Sequence, residues 1–348
     1  MTGAATTIVS APAARVLIGA GARHDIPAEA GRLGDRVLLV HTPSAAPAGR
    51  ELAQALGGKL VGRFDRPAVH TPVAVTDAAM HLVDTTAPDV VVAIGGGSAV
   101  GLAKAISART GLPQIAVPTT YAGSEVTGVL GETENGVKTT RRDPALTPGT
   151  VVYDAELTLD LPAGLTRTSA LNALAHAVEA LWAPDATALS DALADEAAAL
   201  ILGGLPAVLA DGRDPAARAR LQQAGWLAGL CLARTTMGLH HQLAHALGGT
   251  FDLPHAELHA MLLPHVMAFN LPAAPAAAAR LTRAAGTDPV AAVRDLALGH
   301  AGPRTLAELG VARADLPAVA ARVAAHPYPN PRPFDADDLT GLLDRVWS

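Results

Sequence analysis

Short apolar runs alternate with alanine-rich stretches of helical periodicity over the first part of the chain, up to about residue 155. Three of these runs, at 36–41, 89–94 and 114–118, are rich in valine and isoleucine and lack polar alternation. Such runs are typical of strands that are covered on both faces. The pattern predicts a βαβ succession, and therefore an α/β domain with a Rossmann-like parallel sheet at 1–158.

A different element follows at 129–142, where Asn135-Gly136 separates two arms of mixed polarity. This dipeptide between such arms is the strongest short-range signal for a β-hairpin. After Pro162 the strand pattern stops and helical periodicity replaces it, which predicts an all-α domain at 159–348.

Four helices are predicted at the start of this second part, and turn residues separate them. They lie at 168–182, 191–201, 215–232 and 236–247. Gly248-Gly249 is predicted to end the fourth helix, and further helices are expected to follow to the C-terminus.

Composition narrows the classes of function. Half of the 348 residues are hydrophobic and 17% are charged, which excludes a disordered chain. The net charge is −6, and the clustered Lys and Arg that a nucleic-acid surface needs are absent from the sequence. One cysteine, Cys231, excludes an intramolecular disulfide framework, and neither a signal peptide nor an uninterrupted apolar stretch of ~20 residues is found. We predict a cytoplasmic protein without nucleic-acid or membrane partners.

The segment 90–107 joins a predicted strand, three glycines, a serine and a helix of small residues. Glycines allow a sharp turn and close approach of a ligand, and the N–H groups of a first helical turn attract phosphate. The spacing GGGSxxG differs from the GxGxxG dinucleotide fingerprint, so a simple strand-to-helix turn is the alternative. We predict phosphate binding at Gly96, Gly97 and Ser98.

Two more loops are expected at the same carboxyl edge of the sheet, where open α/β sheets bind nucleotides. The loop PTTYAGSE at 118–125 offers Thr119, Thr120 and Ser124, and a hydroxyl-rich loop after the first strand offers Thr42. That last loop has no acidic residue of the kind that selects the bare ribose of NAD, so a preference for NADH or NADPH stays open.

Six of the thirteen histidines lie within 238–265, a stretch that is otherwise rich in alanine, leucine and glycine. They are His240, His241, His245, His255, His259 and His265. His241 and His245 share a helix face at i, i+4 spacing, as do Asn172 and His176. Such pairs with a third imidazole from a following loop suit a divalent metal, although Asn172 offers an amide in place of a carboxylate. Metal binding, acid–base chemistry and core packing are the three uses open to the cluster.

These motifs, in their order and spacing, resemble the iron-containing alcohol dehydrogenase superfamily, and more narrowly its maleylacetate reductase branch. The motifs are GGGSAVGLAKAIS, PTTYAGSEVT, the hairpin, TSALNALAHAVEAL and HHQLAHALGGTFDLPHAELHAMLLPH. The resemblance runs from about Arg15 to about Ala285 and implies a dehydroquinate synthase-like fold. An Asp and three His bind the metal in metal-dependent members, and these positions are Asn172, His176, His241 and His255 here. Because the branch looks like this chain at Asn172 and works without added metal, the resemblance implies a site without metal.

The resemblance also implies an enzyme that reduces the dicarboxylate maleylacetate to 3-oxoadipate with NADH or NADPH in aromatic compound catabolism, as a homodimer. Hydride added β to the ketone places negative charge on the ketone oxygen, which an imidazole can stabilise and later protonate. His241, His245 and His255 are the candidates for this role, and His176, Asn172 and Tyr121 are further candidate catalytic residues. Lys138 on the hairpin is expected to contact the cofactor or a carboxylate, as Tyr121 also could, and His240 and His265 are expected to be structural.

Other functions stay open at this point. The first is a metal-dependent alcohol or polyol dehydrogenase of the same superfamily, which Asn172 disfavours. A non-catalytic nucleotide-binding relative and a cyclase of the dehydroquinate synthase type are the others, and the cyclase would need an intact metal site. Two departures from the branch, Gln242 and Arg234, indicate either a re-aimed carboxylate contact or a different acidic substrate.

Overall fold

The computed structural model describes residues 7–11, 14–299 and 302–348, with side chains from Arg15 onward except that of Lys138. The chain divides into two compact units. The first comprises Met1–Leu161 with Arg213–Gln223, and the second comprises Pro162–Gly212 with Ala224–Ser348.

The first unit is built on a seven-stranded sheet of order β1-β2-β9-β6-β5-β3-β4, in which β1 is antiparallel to β2 and the other pairs are parallel. Its strands are β1 (Thr7–Ala11), β2 (Ala14–Ile18), β3 (Val37–His41), β4 (Leu60–Phe64), β5 (Val90–Gly95), β6 (Gln114–Pro118) and β9 (Thr150–Tyr153). The three predicted runs are β3, β5 and β6, and all three strands are buried along their whole length. The predicted parallel sheet is therefore confirmed.

Helices cover both faces of this sheet. They are α1 (Ile26–Gly31), α2 (Ala46–Leu56), α3 (Val73–Thr86) and α4 (Gly97–Thr110). Val37 and Leu39 of β3 pack in one cluster with residues of α1 and α2, whereas Leu38 and Val40 pack in another with residues of α3 and α4. Since both faces are dry, the strands need no polar alternation.

The predicted hairpin is also confirmed. Its arms are β7 (Val129–Glu134) and β8 (Val137–Arg142), which pair in antiparallel register from Val129 opposite Arg142 to Glu134 opposite Val137. Asn135 and Gly136 both have positive φ, at 50° and 77°. This is the conformation that a tight two-residue hairpin turn requires.

The second unit is helical, as predicted. Its helices are α5 (Ala163–Ala180), α6 (Ala188–Ala210), the later part of α7 (Pro215–Arg234), α8 (Leu239–Phe251), α9 (His255–Asn270), α10 (Pro275–Ala285), α11 (Pro289–Leu298), α12 (Leu316–Ala325) and α13 (Ala336–Trp347). Leu243 and Leu247 of α8 and Leu258 and Leu262 of α9 share a core with α12 and α13.

Three details of the predicted helices are wrong. The helix predicted at 191–201 is α6, which continues to Ala210. Gly248-Gly249 does not end α8, which continues to Phe251, because Leu247 and Phe251 both pack into the core and offset the cost of glycine in a helix, about 1 kcal/mol per residue. The residue that caps the helix after Phe251 is Asp252, whose φ is 51°. His255, expected in a loop, is the first residue of α9.

The first unit also includes a segment that the predicted boundary at 158 assigned to the second part. Arg218, on the first turns of α7, is buried and donates to the Tyr121 hydroxyl at 3.1 Å and to the Leu161 carbonyl at 3.1 Å. Gln222 donates to the carbonyls of Pro118 and Asp154 at 3.4 and 3.3 Å. These buried polar contacts explain why Arg213–Gln223 belongs to the first unit.

Helix α6 is long and apolar enough to cross a membrane by length and composition. It nevertheless carries Asp191 and Asp195, which both pair with Arg280 of α10. The helix also packs against α5, so it serves as a core helix of the second unit.

Candidate functional site

The glycine turn lies where the first unit's parallel strands end. Strand β5 ends at Gly95, whose φ is 150°, and helix α4 begins at Gly97. A Cβ atom at Gly97 would meet nothing within 4 Å, so the space before the helix N-terminus is open to a ligand. N–H groups of a first helical turn have no acceptor within the helix, and they favour an anion such as a phosphate.

The loops after the two neighbouring strands flank this turn. A Cβ atom at Gly95 would lie 2.7 Å from the Thr42 side chain, and one at Gly96 would lie 3.1 Å from the Thr120 side chain. The backbone N–H of Thr119 donates to the Gly95 carbonyl at 3.0 Å. The structure therefore brings these predicted residues together at one edge of the sheet, and Gly96, Gly97, Ser98, Thr119, Thr120 and Ser124 are at least partly accessible there.

Tyr121 and Lys138 of the first unit were also predicted to contact the cofactor or a carboxylate. Tyr121 is buried, and its hydroxyl accepts a hydrogen bond from Arg218 at 3.1 Å. This contact favours a role in holding the loop over direct contact with a ligand. Lys138 lies on strand β8, but its side chain is outside the described residues, so its predicted role stays a prediction.

In the second unit, helices α5, α8 and α9 bring six histidines into one chain of ring contacts: His176, His240, His241, His245, His255 and His259. His176 of α5 stacks on His241 of α8, with ring centroids 4.9 Å apart. The His241 ring lies 4.9 Å from that of His259 and 6.2 Å from that of His245. His255, the first residue of α9, lies 6.1 Å from His245 and 4.3 Å from His259.

The buried carboxylate of Glu179 orients His241 within this cluster. The Glu179 carboxylate accepts the Nδ1–H of His241 at 2.6 Å and the backbone N–H groups of Gly238 and His240 at 2.9 and 2.7 Å. Burial raises the pKa of Glu179, but the hydrogen bond and charge of His241, together with His240, outweigh burial and hold this pKa below its ordinary value. The carboxylate therefore fixes the His241 ring, whose buried Nε2 has no hydrogen-bond partner among the described residues.

Burial divides the cluster into neutral and accessible imidazoles. It lowers the pKa of His176 and of His259 well below the ordinary value, and neighbouring histidines lower both further. Burial also lowers the pKa of His240 to about 3, and His240 Nε2 and His259 Nδ1 are 2.9 Å apart. His245 is exposed and His255 is half-buried, so these two are the solvent-accessible imidazoles.

The two histidines expected to be structural differ in burial. His240 is fully buried in its pair with His259. His265 is partly buried on α9, and burial, with Arg294 and Arg345, lowers its pKa to about 4.

The donor set at the predicted metal positions differs from the Asp and three His of the metal-dependent enzymes, because Asn172 replaces the Asp. Among the described residues, no three His, Cys, Asp or Glu side chains are arranged to hold one metal ion. Asn172 is buried with its Oδ1 unpartnered, and it supplies a neutral oxygen where an anionic ligand would be needed.

The two departures noted in the sequence lie in different surroundings. Gln242 is buried, and its amide N–H groups donate to the carbonyls of Val323 and His326 at 3.2 and 2.6 Å, while its oxygen accepts from the Tyr328 N–H at 2.9 Å. Gln242 thus fastens the chain after α12 to α8. Arg234 is exposed at the end of α7, and its Nη1 reaches the Leu230 carbonyl of the same helix at 3.5 Å.

Sequence reasoning missed Glu179 and gave no role to His259. Glu179 stands three residues after His176 in AHAVEA, so it shares a helix face with His176, and that spacing was the available signal. His259 stands four residues after His255 in HAELH, so the same kind of spacing was available for it, whereas its contact with His240 joins residues nineteen positions apart on different helices.

Family models match nearly the whole chain. The model described as "Iron-containing alcohol dehydrogenase" matches residues 13–155, and "Fe-containing alcohol dehydrogenase family, C-terminal" matches residues 166–347. The chain belongs to the iron-containing alcohol dehydrogenase family and is an oxidoreductase.

Individual relatives are closer in sequence. The chain is 46% identical over 333 residues to the maleylacetate reductase of Sphingobium indicum, covering 95% of each chain. It is 45% identical to maleylacetate reductase 1 of Rhodococcus opacus, covering 96% of this chain and 94% of that protein. The crystal structure of maleylacetate reductase from Agrobacterium tumefaciens superposes with a TM-score of 0.92 at 44% identity, covering 99% of this chain and 98% of that one.

Proposed function

We propose that this protein is a maleylacetate reductase, which reduces maleylacetate to 3-oxoadipate with NADH or NADPH. The observation that carries the proposal is the histidine cluster, in which Glu179 orients His241 and two accessible imidazoles lie beside it. The names of relatives at 42–46% identity over nearly the full chain support the same substrate.

The glycine turn fits a dinucleotide. Gly97 leaves open space before the N-terminus of α4, and Thr42 and Thr120 border the turn. In this proposal the pyrophosphate binds at Gly96, Gly97 and Ser98, with further contacts from Thr42, Thr119, Thr120, Ser124 and Lys138. The bound nicotinamide supplies the hydride.

In this proposal, the histidines of the second unit stabilise the negative charge of the enolate and supply the proton that completes the reduction. Hydride addition to the carbon β to the ketone gives an enolate, whose oxygen needs a hydrogen-bond donor. His241 is the proposed donor in its doubly protonated form, in which the Nδ1–H is held by the Glu179 carboxylate and the Nε2–H is left for the substrate. His245 and His255, being accessible to solvent, are proposed to deliver the proton that completes the reduction.

Asn172 and His176 complete the proposed site without titrating. The pKa of His176 lies well below its ordinary value because of burial, so its ring is neutral and packs against His241. The unpartnered Asn172 Oδ1 is available as a hydrogen-bond acceptor. We propose that catalysis is independent of metal, supported by this uncharged donor set.

Asn172→Asp should convert this part of the site toward metal binding. The new carboxylate would lie i, i+4 from His176 and add the missing anionic ligand, so zinc affinity should rise by roughly tenfold, or about 1.4 kcal/mol. Titration calorimetry with zinc measures the affinity. Asn270→Asp serves as the matched control, because Asn270 is another buried asparagine of the second unit and is hydrogen-bonded to Asn330. The unmodified protein should keep its activity in a chelator. Stoichiometric metal that survives purification, with activity lost to the chelator, would favour a metal-dependent alcohol or polyol dehydrogenase.

The substrate is tested by following NADH and NADPH oxidation with maleylacetate, other unsaturated keto acids and simple aldehydes. We expect turnover of maleylacetate with 3-oxoadipate as product, and far slower turnover of the aldehydes. A preference for simple aldehydes or alcohols would overturn the assignment. Cofactor binding without any turnover would point to a non-catalytic relative.

The remaining parts of the proposal concern the setting of the enzyme. We propose that it acts in the cytoplasm on a small dicarboxylate, as a homodimer and without nucleic-acid or membrane partners. Its composition and single cysteine support this setting. Sedimentation analysis of the purified protein tests the homodimer.

A further inference from the structure

A buried lysine holds the loop that follows strand β6. Lys104 lies on helix α4 and is 1% exposed. Its Nζ donates to the carbonyls of Ser124 and Val129 at 2.7 and 3.0 Å and to the Thr127 hydroxyl at 3.2 Å. One ammonium thus uses all three of its N–H groups on one short segment.

The Thr127 hydroxyl completes this junction. It donates to the Ser124 carbonyl at 2.9 Å and accepts from the Val129 N–H at 3.3 Å. The turn at 124–126 is therefore stabilised by its own hydrogen bonds and by those from Lys104 of helix α4.

The same helix provides the opposite side of the glycine turn. Its first residue is Gly97, and the loop fixed by Lys104 also carries Thr119 and Thr120, which border that turn. The contacts of Lys104, two turns further along α4, thereby fix the distance between the N-terminus of the helix and this loop.

We infer that Lys104 is a positioning residue of the nucleotide site: its ammonium holds the loop 119–127 against helix α4 and so sets the cradle that receives the cofactor. This inference rests on the proposed function. It assigns Lys104 no contact with the cofactor itself.

The charge of Lys104 is poised to change near neutral pH. Burial lowers its pKa to about 7, although the charge of Glu125 opposes this effect. Glu125 is itself buried, accepts from the Tyr153 hydroxyl at 2.7 Å, and has a pKa raised by burial. Further along α4, Arg109 pairs with Glu132 of β7 at 2.9 Å.

Two pH effects of opposite sign follow. As pH rises through about 7 the ammonium is lost, the loop is held less firmly, and cofactor affinity falls. The unfolded chain keeps the lysine proton up to about its ordinary pKa of 10.5, so between these values the unfolded state binds more protons and Lys104 makes stability rise with pH.

Lys104→Met tests the inference, with Lys59→Met as the matched control because Lys59 is a partly exposed lysine paired with Asp35. NADH and NADPH dissociation constants are measured by fluorescence from pH 6 to 9, beside kcat and KM. Lys104→Met should weaken cofactor binding by roughly 10- to 100-fold, the worth of a charged hydrogen-bond set, with a smaller change in kcat. It should also abolish the fall in affinity near pH 7. Lys59→Met should match the wild type.

Thr127→Val provides a second variant in case Lys104→Met fails to fold. It removes the bridging hydroxyl but keeps the ammonium, and it should weaken cofactor binding by a smaller factor. Wild-type affinity for the cofactor in both Lys104→Met and Thr127→Val, or in Thr127→Val alone if Lys104→Met does not fold, would overturn the positioning role while leaving the proposed function intact. A wild-type protein that binds neither NADH nor NADPH would overturn the proposed function and the positioning role together.

Discussion

Gly97→Leu should abolish binding of NADH and NADPH while leaving the protein folded. Apart from its chain neighbours and its own helix turn, a Cβ atom at Gly97 meets none of the described residues within 4 Å, so a side chain can begin there without a clash. The side chain would instead occupy the open space before helix α4, where the proposed pyrophosphate must approach the backbone. Fluorescence titration with NADH measures the loss, and circular dichroism verifies the fold.

The matched control for this substitution is Gly164→Leu. Gly164 also lies in the first turn of a helix, α5, and is exposed, and a Cβ atom there would meet nothing within 4 Å. This variant should bind NADH as the wild type does. Undiminished NADH affinity in Gly97→Leu would remove the glycine turn from the cofactor site.

His241→Ala should lower kcat by roughly 10²- to 10⁴-fold, the usual worth of one acid–base group, with the cofactor dissociation constant unchanged. The loss arises because the enolate oxygen loses its donor and Glu179 loses the ring that it orients. Steady-state kinetics with maleylacetate, together with a separate cofactor titration, distinguish this loss from a binding defect.

His265→Ala is the comparison for this variant. His265 lies on α9, outside the chain of ring contacts, so its removal should leave kcat within a few-fold of the wild type. Equal kcat in the wild type and His241→Ala would exclude His241 as the donor and transfer the role to His245 or His255.

The sequence was sufficient for the elements whose patterns are local. Strands β3, β5 and β6 have no polar alternation because helices cover both faces, and Asn135-Gly136 carries the hairpin signal in two residues. Strands β2, β4 and β9 were not predicted, since each pairs with a strand that lies far away in sequence. Strand β1 was not predicted either, although its partner β2 follows it closely in the chain. Helix ends shifted for the same reason, as at α8, where core packing extends the helix beyond two glycines.

The site residues that could be predicted are likewise those with a local signal in the sequence. The histidines were found because the i, i+4 spacing is a local signal, and the glycine turn was found because three glycines follow a buried strand. The hydrogen bonds of Tyr121 with Arg218 and of Lys104 with Ser124 join residues 97 and 20 positions apart, and no spacing rule reports them. Glu179 orients His241 through a contact with helix α8, and the two residues are 62 positions apart in the chain.

Gln242 has a consequence for how this site can diverge among relatives. Its three hydrogen bonds join α8 to backbone groups that lie 81, 84 and 86 residues further along the chain. An insertion or deletion between Val323 and Tyr328 would break at least one of these bonds and leave a buried amide group unpaired, at a cost of about 1–3 kcal/mol. The length of this stretch is therefore constrained by the side chain of Gln242, so relatives that keep this buried glutamine should vary here by exchange of side chains more readily than by change of length.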